Sequence, residues 1–158
     1  MQIRPYEDQD KRQVIALWGE ILPDSAPHNE PVTSLRQKLA VERDLLFVAA
    51  SDGAVIGTVM GGYDGHRGWV YSVAVRPPER RKGVGTALLR RLEEALAARG
   101  CLKVNLQVRA SNAGVVAFYE RLGYAVEERV SMGKRLYGAD ACPPPQALLL
   151  RTEPTTRS

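Results

Sequence analysis

Arg80-Arg81-Lys82-Gly83-Val84-Gly85-Thr86-Ala87-Leu88-Leu89 lies between a hydrophobic run, Val70 to Val75, and leucines at helical spacing, Leu88, Leu89, Leu92 and Leu96. The pattern reads as a buried strand feeding a tight, basic, glycine-rich turn that opens an amphipathic helix. Such a turn presents unpaired backbone N–H groups at the positive end of a helix dipole. That arrangement is suited to a phosphate group, and glycine lets the backbone approach the anion with no Cβ in the way. Two phosphate loops are excluded. The chain has no Gly-Lys-Ser/Thr, so there is no P-loop. Leu88 stands where a dinucleotide fingerprint needs its third glycine.

Outward from this turn the chain alternates between strand and helix signals. Gln2 to Pro5 reads as a short strand. Asp8 to Leu22 reads as a helix with Val14, Ile15, Leu17, Trp18 and Ile21 on its apolar side. Pro23-Asp24-Ser25-Ala26-Pro27 breaks it. A second helix is expected over Val32 to Glu42, using Leu35, Leu39 and Val41. Leu45 to Ala50, Val55 to Tyr63 and Trp69 to Arg76 read as strands, with turns at Ser51-Asp52-Gly53 and Asp64 to Gly68. Gly100 closes the long helix. Leu102 to Val108 alternates apolar and polar residues. A helix over Asn112 to Leu122, closed by Gly123, and a last strand pair, Tyr124 to Val130 and Met132 to Tyr137, complete the expected domain, residues 1–137. A polar tail, 138–158, follows.

Length and composition bound the function. A chain of 158 residues forms one domain with one substantial core. Lys plus Arg number 22 against 18 Asp plus Glu, a net charge of +4 that suits a polyanionic cofactor. The basic residues form no long run, and no nucleic-acid partner is expected. Cys101 and Cys142 stand alone, and with only His28 and His66 there is no metal-ligand spacing. The expectation is two reduced thiols and no metal. The N-terminus lacks an apolar leader and no apolar run reaches membrane-spanning length, so a cytoplasmic location with no membrane partner is expected.

A strand ending Val75-Arg76-Pro77, then Arg80-x-x-Gly83-x-Gly85, resembles the pyrophosphate loop of the GNAT superfamily, the acetyl-CoA-dependent N-acetyltransferases. Leu106-Gln107-Val108-Arg109-Ala110-Ser111-Asn112, leading into Ala117-Phe118-Tyr119-Glu120-Arg121-Leu122-Gly123-Tyr124, is similar to the family's fifth strand and following helix. The resemblance covers about Gln2 to Tyr137. It implies an α/β fold with a mixed, mostly antiparallel central sheet flanked by about four helices. It also implies transfer of an acetyl group from acetyl-CoA to a primary amine, by direct attack in a ternary complex. A non-catalytic acyl-CoA-binding or sensor module of the same fold is the alternative. A homodimer is compatible with either.

The resemblance also implies roles. Arg80, Arg81, Lys82, Gly83, Val84, Gly85 and Thr86 would hold the pyrophosphate. Val73, Ala74 and Val75 would lie on a strand that splays from its neighbour and pairs with the pantetheine arm. Asn112 caps a helix or contacts that arm, and the two roles are compatible. Tyr119, seven residues after Asn112, would protonate the departing thiolate; its alternative is a core aromatic on the face of Val115 and Leu122. Gln107 is a departure: some GNATs that acetylate protein N-termini carry Glu at this strand position as base, and an amide cannot accept that proton. Gly61-Gly62-Tyr63-Asp64-Gly65-His66-Arg67-Gly68 resembles a segment of a small group of bacterial GNATs. Tyr63, Asp64 and His66 would bind or deprotonate the amine, or else simply bond their own turn.

Overall fold

Residue alternation along the strands explains the layered architecture. The computed structural model describes residues 1–22 and 26–138. The strands are β1 (Gln2–Pro5), β2 (Leu46–Ser51), β3 (Ala54–Tyr63), β4 (Gly68–Val75) and β5 (Val104–Leu106). They form one sheet in sequence order, antiparallel except for the parallel β4–β5 pair. The helices are α1 (Lys11–Ile21), α2 (Pro31–Glu42), α3 (Val84–Ala98) and α4 (Val116–Arg121). In β2, Phe47 and Ala49 join the cluster built on α3, while Leu46 and Val48 join the cluster built on α1 and α2. The sheet is therefore buried on both faces, and β2 reads as a continuous apolar run for that reason. This is the α/β fold with a mixed, mostly antiparallel sheet and four helices expected from the resemblance.

Three glycines let α3 lie close against the sheet. A Cβ at Gly57 would stand 3.0 Å from Leu88 Cδ1, one at Gly61 would run into Leu92, and one at Gly68 would stand 2.8 Å from Cys101 Sγ. Leu88, Leu92 and Leu96, one turn apart, are fully buried along this line. The helix thus runs antiparallel to β4, with its N-terminus beside Val75 and its C-terminus beside Gly68. Gly100 (φ 86°) ends it, with Gly100 N–H on Ala97 O and Cys101 N–H on Leu96 O.

Several expectations are corrected. Val41 is 84% exposed and takes no part in the α2 core. The strand expected over Leu102 to Val108 shortens to Val104–Leu106, and Leu102 is 97% exposed. Only three residues there find a partner, because β5 leaves β4 after the pair Val70–Leu106. The helix expected from Asn112 begins at Val116, after a 3-10 stretch over Ala110–Val115. Ser111, Asn112 and Gly114 are poor helix formers, and Asn112, non-helical at φ −115° and ψ 40°, lies three residues before Val115, the residue that opens α4, so it is not the cap of that helix. The last strand pair does not form among the described residues. There, side chains replace a ladder: Lys103 and Asn105 donate to Glu127 at 2.7 and 2.6 Å, and Gln107 donates to Ser131 at 2.6 Å. No helix among the described residues is long and apolar enough to cross a membrane. The tail from 139, with Cys142, and residues 23–25 of the expected break lie outside the described residues.

Candidate active site

The site starts from a bulge. In the β3–β4 ladder Thr58 pairs with Ala74 and Met60 with Tyr71, so Ser72 and Val73 together face Val59. Ser72 takes a left-handed backbone, φ 50°, uncommon outside glycine. A buried polar chain holds it there. Trp18 Nε1 donates to Thr58 Oγ1 at 2.8 Å, and Thr58 Oγ1 donates to Ser72 O at 3.1 Å. Thr58 is fully buried, so both bonds are made where an unpaired hydroxyl would cost about 1–3 kcal/mol. α1 thereby clamps the distortion in β4.

Past the bulge the β5-facing edge of β4 is open, since pairing with β5 stops at Val70. Arg76 N–H bonds Ile56 O at 2.9 Å, which turns Arg76 and, by alternation, Ala74 toward β3. The backbone groups of Val73 and Val75 then face the open edge. Ala74 is 1% exposed and packs into the α1–α2 core. Arg80 Nε reaches back to Val75 O at 3.3 Å.

The basic turn follows at once. Arg81 (φ 63°) and Gly83 (φ 81°) are both left-handed, and Gly83 is the residue that opens α3. Among the described residues no side chain caps this helix start. The first α3 bond is Ala87 N–H to Gly83 O at 3.0 Å, which leaves the N–H groups of Val84, Gly85 and Thr86 before it. Lys82 pairs loosely with Glu79 at 3.4 Å, on the surface.

α4 is packed against this turn. A Cβ at Gly85 would lie 3.4 Å from Phe118 Cζ, in van der Waals contact, so the Phe118 ring stands directly against the glycine loop. Tyr119 meets Phe118 edge-on (centroids 5.2 Å) and Tyr124 likewise (5.8 Å), and packs against the α3 core. Burial raises its phenol above the usual tyrosine value, and its hydroxyl makes no hydrogen bond among the described residues. Tyr124 donates to Glu93 at 3.2 Å, tying the end of α4 to α3; burial and the Glu93 carboxylate push its phenol far up. Asn112 sits in the 3-10 stretch between β5 and α4. Gln107 is exposed and bonded to Ser131.

The structure does not bring Tyr63, Asp64 and His66 to this place. Tyr63 Oη donates to Gly100 O at 3.4 Å, at the far end of α3. With 15 residues in that helix, the turn and the glycine loop are roughly 22 Å apart along it. Asp64 accepts from the N–H groups of His66 and Arg67, both at 2.8 Å, and these bonds lower its pKa. The Asp64 carboxylate thus bonds its own turn. Two features escaped the sequence reading. One is the Trp18–Thr58–Ser72 chain. The other is His28 Nδ1 with Tyr137 Oη at 2.6 Å, which joins the start of α2 to the C-terminal segment. Both join residues far apart in the chain, and no local spacing signals them. Among the described residues no three His, Cys, Asp or Glu gather into a metal-binding group.

Residues 12–124 match the model of the acetyltransferase (GNAT) family. An acetyltransferase of Yersinia enterocolitica is 43% identical over 136 residues, 86% of this chain and 96% of that one. Among solved structures, the chain resembles aminoglycoside 6'-N-acetyltransferase AAC(6')-IG from Acinetobacter haemolyticus, with TM-score 0.71 and 21% identity over 87% of this chain and 100% of that one. It also resembles AAC(6')-Iy in complex with the bisubstrate analogue CoA-S-monomethyl-acetylneamine, with TM-score 0.69 and 19% identity over 85% of this chain and 97% of that one. At these identities the two structures speak for the fold.

Proposed function

The chain belongs to the acetyltransferase (GNAT) family, and from that premise we propose that it moves an acetyl group from acetyl-CoA to a primary amine of a small molecule or peptide, the amine attacking the thioester while both substrates are bound. One observation carries this reading. An unpaired strand edge, an uncapped glycine-rich helix start and Phe118-Tyr119 coincide at one end of β4.

The residues fit the donor part by part. The N–H groups of Val84, Gly85 and Thr86 would take the pyrophosphate in a cradle that a Cβ at Gly83 or Gly85 would narrow. Arg80, Arg81 and Lys82 would offset its charge. Val73 and Val75 would pair with the amides of the pantetheine arm as an added strand, with buried Ala74 fixing their position. A backbone N–H on this edge would polarise the thioester carbonyl. Asn112, in the 3-10 stretch between β5 and α4, would contact the arm.

Acetyl-CoA supplies the acyl group and a sulfur leaving group. Tyr119, a phenol that is protonated at neutral pH and that burial pushes further up, would donate to the departing sulfur. Gln107 would orient the amine, which must arrive neutral; its amide takes no proton. Tyr63, Asp64 and His66, at the far end of α3, have no part in this reading.

Gly83→Asp tests the loop. An added Cβ at Gly83 meets no atom within 4 Å, although its left-handed backbone adds strain. The carboxylate would face the pyrophosphate, and calorimetry should show acetyl-CoA affinity falling at least about tenfold, about 1.4 kcal/mol. Unchanged affinity in a folded variant would overturn the assignment. CoA release measured against peptide N-termini, polyamines, amino acids and aminoglycosides then identifies the acceptor class.

A further inference from the structure

Tyr6 continues the alternation of β1. Arg4 pairs with Val48, and Tyr6 N–H bonds Leu46 O at 2.8 Å, so the Tyr6 side chain lies on the sheet face that α1 and α2 cover. Tyr6 is 5% exposed and belongs to the core cluster of Leu35 and Leu46. Its hydroxyl is shut off from solvent and has no hydrogen-bond partner among the described residues. On α2, Arg36 Nη1 is buried in the same condition. Buried donors without an acceptor are rare in native folds, and each one calls for an explanation.

Both residues line one pocket of about 400 Å³ between the start of α1 and the side of α2. Val32, Leu35 and Leu39 give it an apolar wall. Val32 and Arg36, like Leu35 and Leu39, are four residues apart and so share one side of the helix. Lys11, exposed at the first position of α1, lines the pocket as well.

The positive charge of this pocket is not neutralised from within. Asp8 also lines it, but its carboxylate is bonded to Arg43 at 2.9 Å. The neighbouring acids are committed too: Asp10 accepts from Arg4 at 2.8 and 2.9 Å, and Glu30 accepts from the N–H groups of Val32 and Thr33. Among the described residues neither Lys11 nor Arg36 pairs with a carboxylate. Three donors, two of them cationic, therefore share a pocket with an apolar wall. The chemistry that completes them is an acceptor with negative charge.

We propose that this pocket binds an anion carried on a short apolar stem, a carboxylate or a phosphate monoester. Arg36 and Lys11 meet its charge, the Tyr6 hydroxyl donates to one of its oxygens, and the stem lies along Val32, Leu35 and Leu39. Both orphaned donors are closed to water, so an entering head group parts the side chains above them before it meets them. The site is separate from the donor loop. α1 and α2 cover one face of the sheet, and α3, which opens with that loop, covers the other. The proposal is therefore independent of the acetyl-transfer reading.

Titration calorimetry of the full chain with hexanoate tests it, and saturable one-to-one binding is expected. Acetate keeps the charge and loses the stem. Hexanol keeps the stem and loses the charge. Each should bind at least about tenfold more weakly than hexanoate. Hexyl phosphate is the second head group, and the tighter of it and hexanoate identifies the class. Arg36→Met keeps an apolar side chain and removes the guanidinium. It should weaken hexanoate at least about tenfold and leave acetyl-CoA affinity as in the natural chain. Tyr6→Phe should weaken hexanoate several-fold. Because it removes a donor that has no partner, it should unfold in urea at or above the natural midpoint. No saturable binding of hexanoate or hexyl phosphate up to about 10 mM overturns the proposal. So does a hexanoate affinity that Arg36→Met leaves untouched, since the anion then sits elsewhere. A Tyr6→Phe chain that unfolds at clearly lower urea also overturns it, because the hydroxyl then already has a partner within the fold.

Discussion

Tyr119 is held by ring edges rather than by its oxygen. Phe118 and Tyr124 pack on it, and the hydroxyl has no partner among the described residues. Removing that oxygen therefore separates chemistry from packing. Tyr119→Phe is expected to lower kcat by about 10²-fold or more, the scale of a positioned proton donor, with acetyl-CoA affinity nearly unchanged. Turnover assays paired with calorimetry check this, and unimpaired turnover would return the residue to the core. The signal that suggests this role, a Phe-Tyr pair before a helix-closing glycine, is a local pattern and so is visible in the sequence. Gln107 was legible as a departure, but its bond to Ser131 was not, since that contact depends on where the chain returns after α4. Asp64 and His66 show the converse. Their residue types suit proton transfer, yet the fold sets them at the wrong end of α3, and spacing along the chain cannot reveal that.

The bulge in β4 is the element that creates the open edge. Its shape depends on a hydroxyl supplied from β3 and an indole supplied from α1, 40 residues away in sequence. Thr58→Val keeps the volume and removes both bonds, leaving Trp18 N–H buried and unpaired and half-buried Ser72 O without its side-chain partner. A loss of about 1–3 kcal/mol in urea unfolding is expected, together with weaker acetyl-CoA binding, because Ser72 then loses its anchor beside Val73. Stability lost with affinity intact would mean that the edge holds its shape without the chain. The elements whose burial follows their sequence period were read correctly, notably β2, β3, α1 and α3. The start of α4 was not, because Ser111, Asn112 and Gly114 favour tight turns over a full helix. Nor was the segment after Tyr124, where apolar residues alternate as in a strand but face solvent, so the period alone does not tell an inward face from an outward one.

At the scale of the molecule, the sheet is buried on both faces, and the open strand edge and the glycine loop lie together at one end of it. There the N-terminus of α3 and the side chains of Arg76, Arg80, Arg81 and Lys82 gather positive charge around the glycine loop, on a chain whose net charge is +4. Among the described residues only Lys82 of these four pairs with a carboxylate, at 3.4 Å with Glu79. A polyanion approaching from solvent meets this field before it meets any contact. Exposed charges more than about 10 Å apart are largely screened at about 0.1 M salt, so the attraction should act on encounter and fade as ionic strength rises. The association rate of acetyl-CoA, followed by stopped-flow fluorescence of the protein's tryptophans, is expected to fall several-fold between low and physiological salt. The dissociation rate should move much less, because the backbone N–H groups that would hold the pyrophosphate carry no net charge to screen. Replacing Arg81 and Lys82 together by alanine should flatten the salt dependence while leaving the glycine cradle in place. An association rate indifferent to salt in the natural protein would mean that the basic turn acts only by contact, and that the net charge of the chain has no part in bringing its donor to the site.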